Sequence, residues 1–247
     1  MGLDFWARTS GTWINAATVL AGTGLGLLLR GKLPAPMQRI IVQGVALVTL
    51  FIGVNMAGSL GQASVGRLDG VILGLVTIIA GGLLGEWWHI EEGLEAIGNR
   101  LRRAFRGSGS FTEGFVAASL LFCVGPMTLL GSLNNGLTGD ATLLGVKATL
   151  DGISSLALAS TFGVGVGFSV LIILLYQGGI SLAAGALAQV IPEPATDPRI
   201  LLITGVGGLI VIGVGINLLE LTRIRVASFL PALALAPLVS WIASRIG

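Results

Sequence analysis

Histidine and cysteine are almost missing: the 247 residues hold one of each, His89 and Cys123. A lone cysteine builds no disulfide framework and no thiolate metal cluster within one chain. A lone histidine removes most histidine-dependent catalysis and most metal sites. Charge is scarce as well, at 11% of residues, against about a quarter in ordinary soluble proteins. The basic residues are scattered over short stretches, so nucleic-acid binding has no surface to use. There is no H-E-x-x-H, no G-x-S-x-G, no cysteine pair and no Gly-rich phosphate loop with its lysine, so neither an enzyme nor a bound cofactor is expected. The opening MGLDFWARTSGTW lacks the basic region, apolar stretch and cleavage site of a removable signal, and none is expected.

What remains is apolar. Hydrophobic residues make up 53% of the chain and the mean hydropathy is +0.92. Hydrocarbon offers no partner to a backbone amide, so apolar runs near the roughly 20 residues needed to cross a bilayer must be helices. The implied fold class is an all-α integral membrane protein, a polytopic bundle of seven to eight transmembrane segments. The spans are read at 12–29, 40–58, 70–87, 114–133, 150–176, 200–219 and 226–244, within one transmembrane domain over 1–247. An eighth candidate, 177–191, gives only about 22 Å of helix before Pro192, less than the hydrocarbon core.

Basic residues set the orientation. Arg30, Lys32 and Arg39 fall in the first loop, and Arg100, Arg102, Arg103 and Arg106 in the third. By the positive-inside rule these loops are cytoplasmic and the N-terminus is outside. The loop 89–113 spaces Ile90, Leu94, Ile97, Leu101 and Phe105 on one helical face, with Glu91, Glu92 and Glu95 ahead of the arginines. Acid first and base last complements a helix dipole, and the basic end suits anionic headgroups. Glu86 ends the third span, where a carboxylate opposes the helix dipole and calls for a cationic partner. Trp87, Trp88 and His89 come next as an interfacial belt.

Glycine is abundant, at 39 residues, roughly twice its usual share. Small residues let membrane helices approach backbone to backbone. They also fall in a pattern: TVLAGTGLG at Thr18–Gly26 resembles TIIAGGLLG at Thr77–Gly85. A third copy, DGISSLALASTFGVGVG, aligns on DGVILGLVTIIAGGLLG and superposes Asp151 on Asp69. Internal repeats of this kind are typical of secondary transporters.

Longer words then become specific. ASLLFCVGPMTLLGSLNNGLTGD (Ala118–Asp140), KATLDGISSLALASTFGVGVGFS (Lys147–Ser169) and YQGGISL (Tyr176–Leu182) resemble the YqgA-like family of bacterial inner-membrane proteins, a domain-of-unknown-function family. The resemblance covers nearly the whole chain and implies a membrane topology but no mechanism. Pro126 departs from the family pattern, which more often has alanine there, and a proline at that point kinks a span.

Polar residues inside apolar runs are the site candidates, because an ionised group in a bilayer costs several kcal/mol. Asp151 leads. Lys147 stands one helical turn earlier and can neutralise it, and Ser154 and Ser155 lie within a turn after it. Two readings stay open: Asp151 caps a helix at the outer interface while Lys147 snorkels, or the helix starts nearer Leu143 and Asp151 lies inside as an ion or proton site. The segment SLNNGLTGD places Asn134, Asn135 and Asp140 at the same mouth. Asn55 and Asn217 sit late in two spans, either as interhelical glue or as carbonyl donors to a cation; Asn15 is of the same class.

The leading functional expectation is a secondary transporter or channel for an ion or small polar solute. The alternative is a non-transporting regulatory or assembly partner using the basic loop. Expected partners are membrane lipid and an unidentified solute or ion; the glycine faces leave a homo-oligomer open.

Overall fold

The computed structural model describes residues 3–105, 107, 110–190 and 196–246. Arg106, Ile191 and Pro192 lie outside them. The described residues are helical, apart from short connections and an isolated bridge between Val65 and Leu68. The helices are α1 (Phe5–Leu29), α2 (Ala35–Ala57), α3 (Gly70–Trp87), α4 (Ile90–Ala104), α5 (Phe111–Cys123), α6 (Pro126–Thr138), α7 (Thr142–Phe162), α8 (Val170–Val190), α9 (Pro198–Leu218) and α10 (Pro231–Ile246). Six helical stretches among the described residues are long and apolar enough to cross a membrane, or seven if α5 and α6 count as one bent span.

Two compact units divide the chain: residues 1–45 with 95–192, and 46–94 with 193–247. The first unit is built on α1, α5, α6, α7 and α8. Here α1 and α7 run side by side in the same direction, with Gly11 against Leu144, Gly22 against Gly152 and Gly26 against Leu156. Gly22 is required: a Cβ there would collide with the Gly152 carbonyl and the Ser155 hydroxyl. Backbones this close have gained the dispersion contact that replaces the hydrophobic effect between membrane helices.

The apolar stretch after Lys147 divides differently from the sequence reading of spans at 150–176 and 177–191. α7 ends at Phe162, a 3-10 segment Gly163–Ser169 comes next, and α8 then runs back along α1, with Gly167 against Thr23 and Gly178 against Thr12. The chain reverses because Gly163 closes α7 at φ +82°, a conformation that L side chains rarely adopt. The turn is packed inside the protein: Gly165 lies on the Phe111 backbone, Val166 is fully buried, and the polar residue of the segment, Ser169, is buried with its hydroxyl donating to the Val166 carbonyl at 2.7 Å.

The fourth predicted span is broken. α5 and α6 meet at a bend of 60°, with Gly125 extended (φ 173°, ψ 153°) ahead of Pro126 at the start of α6. Proline lacks an amide hydrogen and pushes the preceding residue out of the helical region, which accounts for the break.

In the second unit α3, α9, α10 and the later part of α2 pack together. Gly81 and Gly85 of α3 meet the backbone of Ala232 and Ser228. Thus the two similar words at Thr18–Gly26 and Thr77–Gly85 do the same job, each supplying the glycine pair at a close helix approach. At one end of α3, Arg225 bridges the carboxylates of Glu86 and Glu92, supplying the cation that the Glu86 position calls for. Glu91 accepts the Ala227 amide at 2.7 Å. Outward faces carry Phe51, Val54, Ile72, Leu75, Ile79 and Leu83 exposed, an arrangement suited to lipid and not to water.

Replacing Gly22 by valine is predicted to lower stability by about 3 kcal/mol through overpacking. Cys123 is buried, so its reaction with a thiol-reactive dye during heating reads the loss. The variant should expose the thiol at a clearly lower temperature than the native chain.

Candidate functional site

The N-terminus of α7 decides how its acidic residues are used. α7 begins at Thr142, which puts Asp151 about two and a half turns inside the helix. The end itself is held by Asp140, whose Oδ1 accepts the Thr142 amide at 2.9 Å and its hydroxyl at 2.6 Å. Those two bonds, the hydroxyl's first, hold the Asp140 carboxyl below its ordinary range. The turn is therefore intact above that range and loosens only as pH falls through the lowered value. Asn134 donates to Asp140 Oδ2 at 3.2 Å. By contrast, Asp69, which precedes a glycine as Asp151 does, caps α3 by accepting the Val71 amide at 2.7 Å.

Inside the first unit lies a buried polar cluster. Lys147 is 6% exposed and Asp151 7%, and the Lys147 ammonium bonds directly to Asp151 Oδ2. Asn15 of α1, fully buried, donates from Nδ2 to the same Oδ2 at 2.9 Å and to Gln177 Oε1 of α8 at 3.1 Å. Gln177 Nε2 in turn donates to Thr12 Oγ1 at 3.3 Å. Three helices thus meet at one level through charges and amides. Both acceptors around Asn15 fix its nitrogen, so its Oδ1 points where no donor stands, and that oxygen is buried without a partner.

Polar contacts continue from the cluster towards the start of α1. Asn135 of α6 bridges the two ends of one α1 hydrogen bond: its Oδ1 accepts the Gly11 amide and its Nδ2 donates to the Ala7 carbonyl, both at 3.1 Å. It also donates to Ser10 at 3.0 Å. Arg8 reaches the Gly136 carbonyl at 3.2 Å and the Leu182 carbonyl at 2.5 Å. Several hydroxyls in the unit are buried without partners: Ser132 and Ser181 on the helices beside this strip, and Thr23, Ser119 and Thr161 elsewhere in α1, α5 and α7. A fully satisfied core contains few such groups.

The sequence candidates therefore separate. Lys147, Asp151 and Asn15 come together in the cluster. Ser155 lies one turn beyond Asp151 and bonds the Val19 carbonyl at 3.2 Å and the Gly152 carbonyl at 2.8 Å; Ser154 is half-buried on the adjacent face. Asn134, Asn135 and Asp140 stand at the end of α6. Asn55 and Asn217 belong to the second unit. Asn55 is exposed and donates to the Phe51 carbonyl at 2.8 Å. Asn217 closes the turn after α9, exchanging two bonds with the Ile224 backbone at 2.7 and 2.8 Å. Gln177 and Thr12 are additions that the sequence reading does not single out as site residues. The signal for Gln177 is its place amid an apolar run, obscured when it is taken as the first residue of a short segment.

Removing one member of a buried pair leaves the other charge uncompensated. Lys147→Met is predicted to destabilise the fold by about 3–5 kcal/mol, whereas Lys147→Met with Asp151→Leu should recover most of that loss. Thiol exposure at Cys123 on heating again provides the measurement.

A model of the family described as "Protein of unknown function (DUF554)" matches residues 10–241. The chain is 30% identical over 237 residues to the uncharacterized membrane protein YdfK of Bacillus subtilis strain 168, covering 96% of this chain and 98% of that one. It is 29% identical over 233 residues to the uncharacterized protein YqgA of Escherichia coli K12, covering 92% of this chain and 94% of that one. No solved structure matches. A helical membrane protein with this matching length on both sides belongs to the DUF554 family, whose function is unknown.

Proposed function

We propose that this protein is a secondary transporter or channel, and not an enzyme, moving an ion or small polar solute across the bacterial inner membrane by way of the first unit. The observation that carries the reading is the desolvated Lys147–Asp151 pair with the unpartnered Asn15 Oδ1 beside it. Intramembrane charge is expensive, and where it persists facing a bundle interior it marks substrate and ion pathways. A structural role alone needs no orphaned acceptor at its centre.

Three further features support the reading. The same unit contains the broken span α5–α6, and discontinuous helices are a feature of secondary transporters. The polar strip through Thr12, Asn135, Ser10 and Arg8 offers a route from the pair to the end of α1. The glycine words repeated in α1 and α3 fit an origin by duplication, from which such transporters are commonly built. We count the reversal at Gly163–Ser169 as a return across the membrane, which gives eight passes among the described residues, the α5–α6 pair being one. The N-terminus is outside by the charge rule, and the strip then opens outward. Exposed Arg100 and Arg103 on α4 face anionic headgroups on the inner side.

The test is Asp151→Asn in proteoliposomes. The variant should keep a native thermal transition and lose flux across a panel of radiolabelled ions, amino acids and small organic acids. Flux equal to that of the native chain for every transported solute would remove Asp151 from the mechanism.

A further inference from the structure

α4 differs from the spans in that its exposed apolar residues stand among arginines. Gly98 rests on α5, where a Cβ would come within 2.9 Å of the Thr112 side chain and 3.1 Å of Phe115, and Asn99 accepts the Thr112 hydroxyl at 2.9 Å. That contact fixes one side of the helix. On the side turned away, Ile97 is 46% exposed and Phe105 61%. Arg100 and Arg103, at i+3 spacing, border this stripe and are exposed, with Arg102 half-buried on its other edge. An exposed apolar stripe edged by basic residues is the layout of a helix lying in the bilayer interface. The stripe enters the acyl boundary while the guanidinium groups snorkel to the phosphates. α4 also follows directly on Trp87 and Trp88, both exposed, a residue type that gathers at that boundary.

Charge around the stripe is mostly of one sign. Phe105 stacks on Phe168 at 4.6 Å, which ties the end of α4 to the reversal Gly163–Ser169. At the start of that reversal a Cβ on Gly163 would collide with the Arg30 guanidinium. Arg30 therefore belongs to the same end of the first unit as Arg100 and Arg103. Lys32 and Arg39, both exposed, follow it in the chain, and the acids on these segments are Glu95, ahead of the stripe, and Glu113 on α5. Lipid is the occupant that fits, because Leu25 and Leu28 of α1 are 54% and 64% exposed just before Arg30. Acyl chains that cover those leucines carry their headgroups at the height of Arg30.

We propose that residues 95–105 of α4 form a docking surface for anionic phospholipid. Ile97 and Phe105 enter the acyl region, and Arg100, Arg103 and Arg30 hold phosphodiester headgroups of the inner leaflet. Binding stabilises the first unit, since α4 is joined to α5 through Gly98 and to the reversal through Phe105. Because the attraction is to an anionic surface, it weakens as salt is raised. The docking surface is independent of the solute that the protein carries.

The full chain in dodecyl maltoside is titrated with dioleoylphosphatidylglycerol and, separately, with dioleoylphosphatidylcholine. The readout is the temperature at which Cys123, buried in the folded chain, reacts with a thiol-reactive dye. Phosphatidylglycerol should raise that temperature in a saturable, salt-sensitive way and phosphatidylcholine should not, since a ligand of the folded state stabilises it by mass action. Glycerol 3-phosphate, a headgroup without acyl chains, should have no effect. Arg100→Gln with Arg103→Gln should raise the half-saturating phosphatidylglycerol concentration by at least about tenfold. A fluorophore on Ile97→Cys, in nanodiscs containing phosphatidylglycerol, should be quenched by acyl-brominated lipid and shielded from aqueous acrylamide. Equal stabilisation by the two lipids, or an unchanged half-saturation in the double variant, overturns the proposal. So does a response to glycerol 3-phosphate equal to that of the lipid, which would make this a free phosphate site. Quenching of the fluorophore from the water side also overturns it and would leave the stripe to a protein partner.

Discussion

A lysine and an aspartate that bond to each other away from water set the terms for the first unit. Neither charge is tolerable alone at that depth, so each position of the surrounding helices has to keep them together. α7 carries both members one turn apart, α1 lies close enough for Asn15 to share the carboxylate oxygen, and α8 returns along α1 so that Gln177 can hold Asn15. The glycines of α1 serve this arrangement. Without the approach of Gly22 to the Gly152 backbone, Asn15 would stand too far from Asp151 to bond it.

The same constraint explains the two irregular segments of the unit. A continuous helix through Gly163–Ser169 would carry α8 away from α1 and leave Asn15 and Thr12 without Gln177. A continuous helix through Gly125 would carry α6 off its course beside α1 and α8, where Asn135 bonds the Gly11 amide and Gly136 packs on the Ser181 carbonyl. Irregular backbone at membrane depth is tolerated where protein covers it or where it lines a polar site. Here α5 and the reversal cover each other, with Gly165 against the Phe111 backbone and Phe168 stacked on Phe111 and Phe105.

Much of this is legible in the residues. Hydropathy establishes the class, and the third span, expected at 70–87, is α3 at Gly70–Trp87. The i,i+4 spacing of Lys147 and Asp151 points to their pairing. What the residues conceal has a common cause: apolar composition is blind to direction. The reversal at GVGVGFS is as hydrophobic as a helix, so α7 and α8 merge into other segments when read from composition. Likewise DG at Asp69 and DG at Asp151 look alike, yet one caps a helix and the other lies within it. The difference is made upstream, by Asp140 bonding Thr142 and starting α7 early. Asn55 and Asn217, similar in sequence context, serve the backbone in different ways, because the chain continues past Asn55 into a 3-10 segment (Gly58–Gln62) whereas α9 stops just after Asn217.

The most direct measurement of the central claim is solid-state NMR of the protein in lipid bilayers, with ¹⁵N in the Lys147 side chain and ¹³C in the Asp151 carboxylate. The account predicts strong dipolar coupling between Lys147 Nζ and Asp151 Cγ, and a lysine amine signal protected from exchange with bilayer water. An uncoupled, freely exchanging Lys147 signal would contradict it.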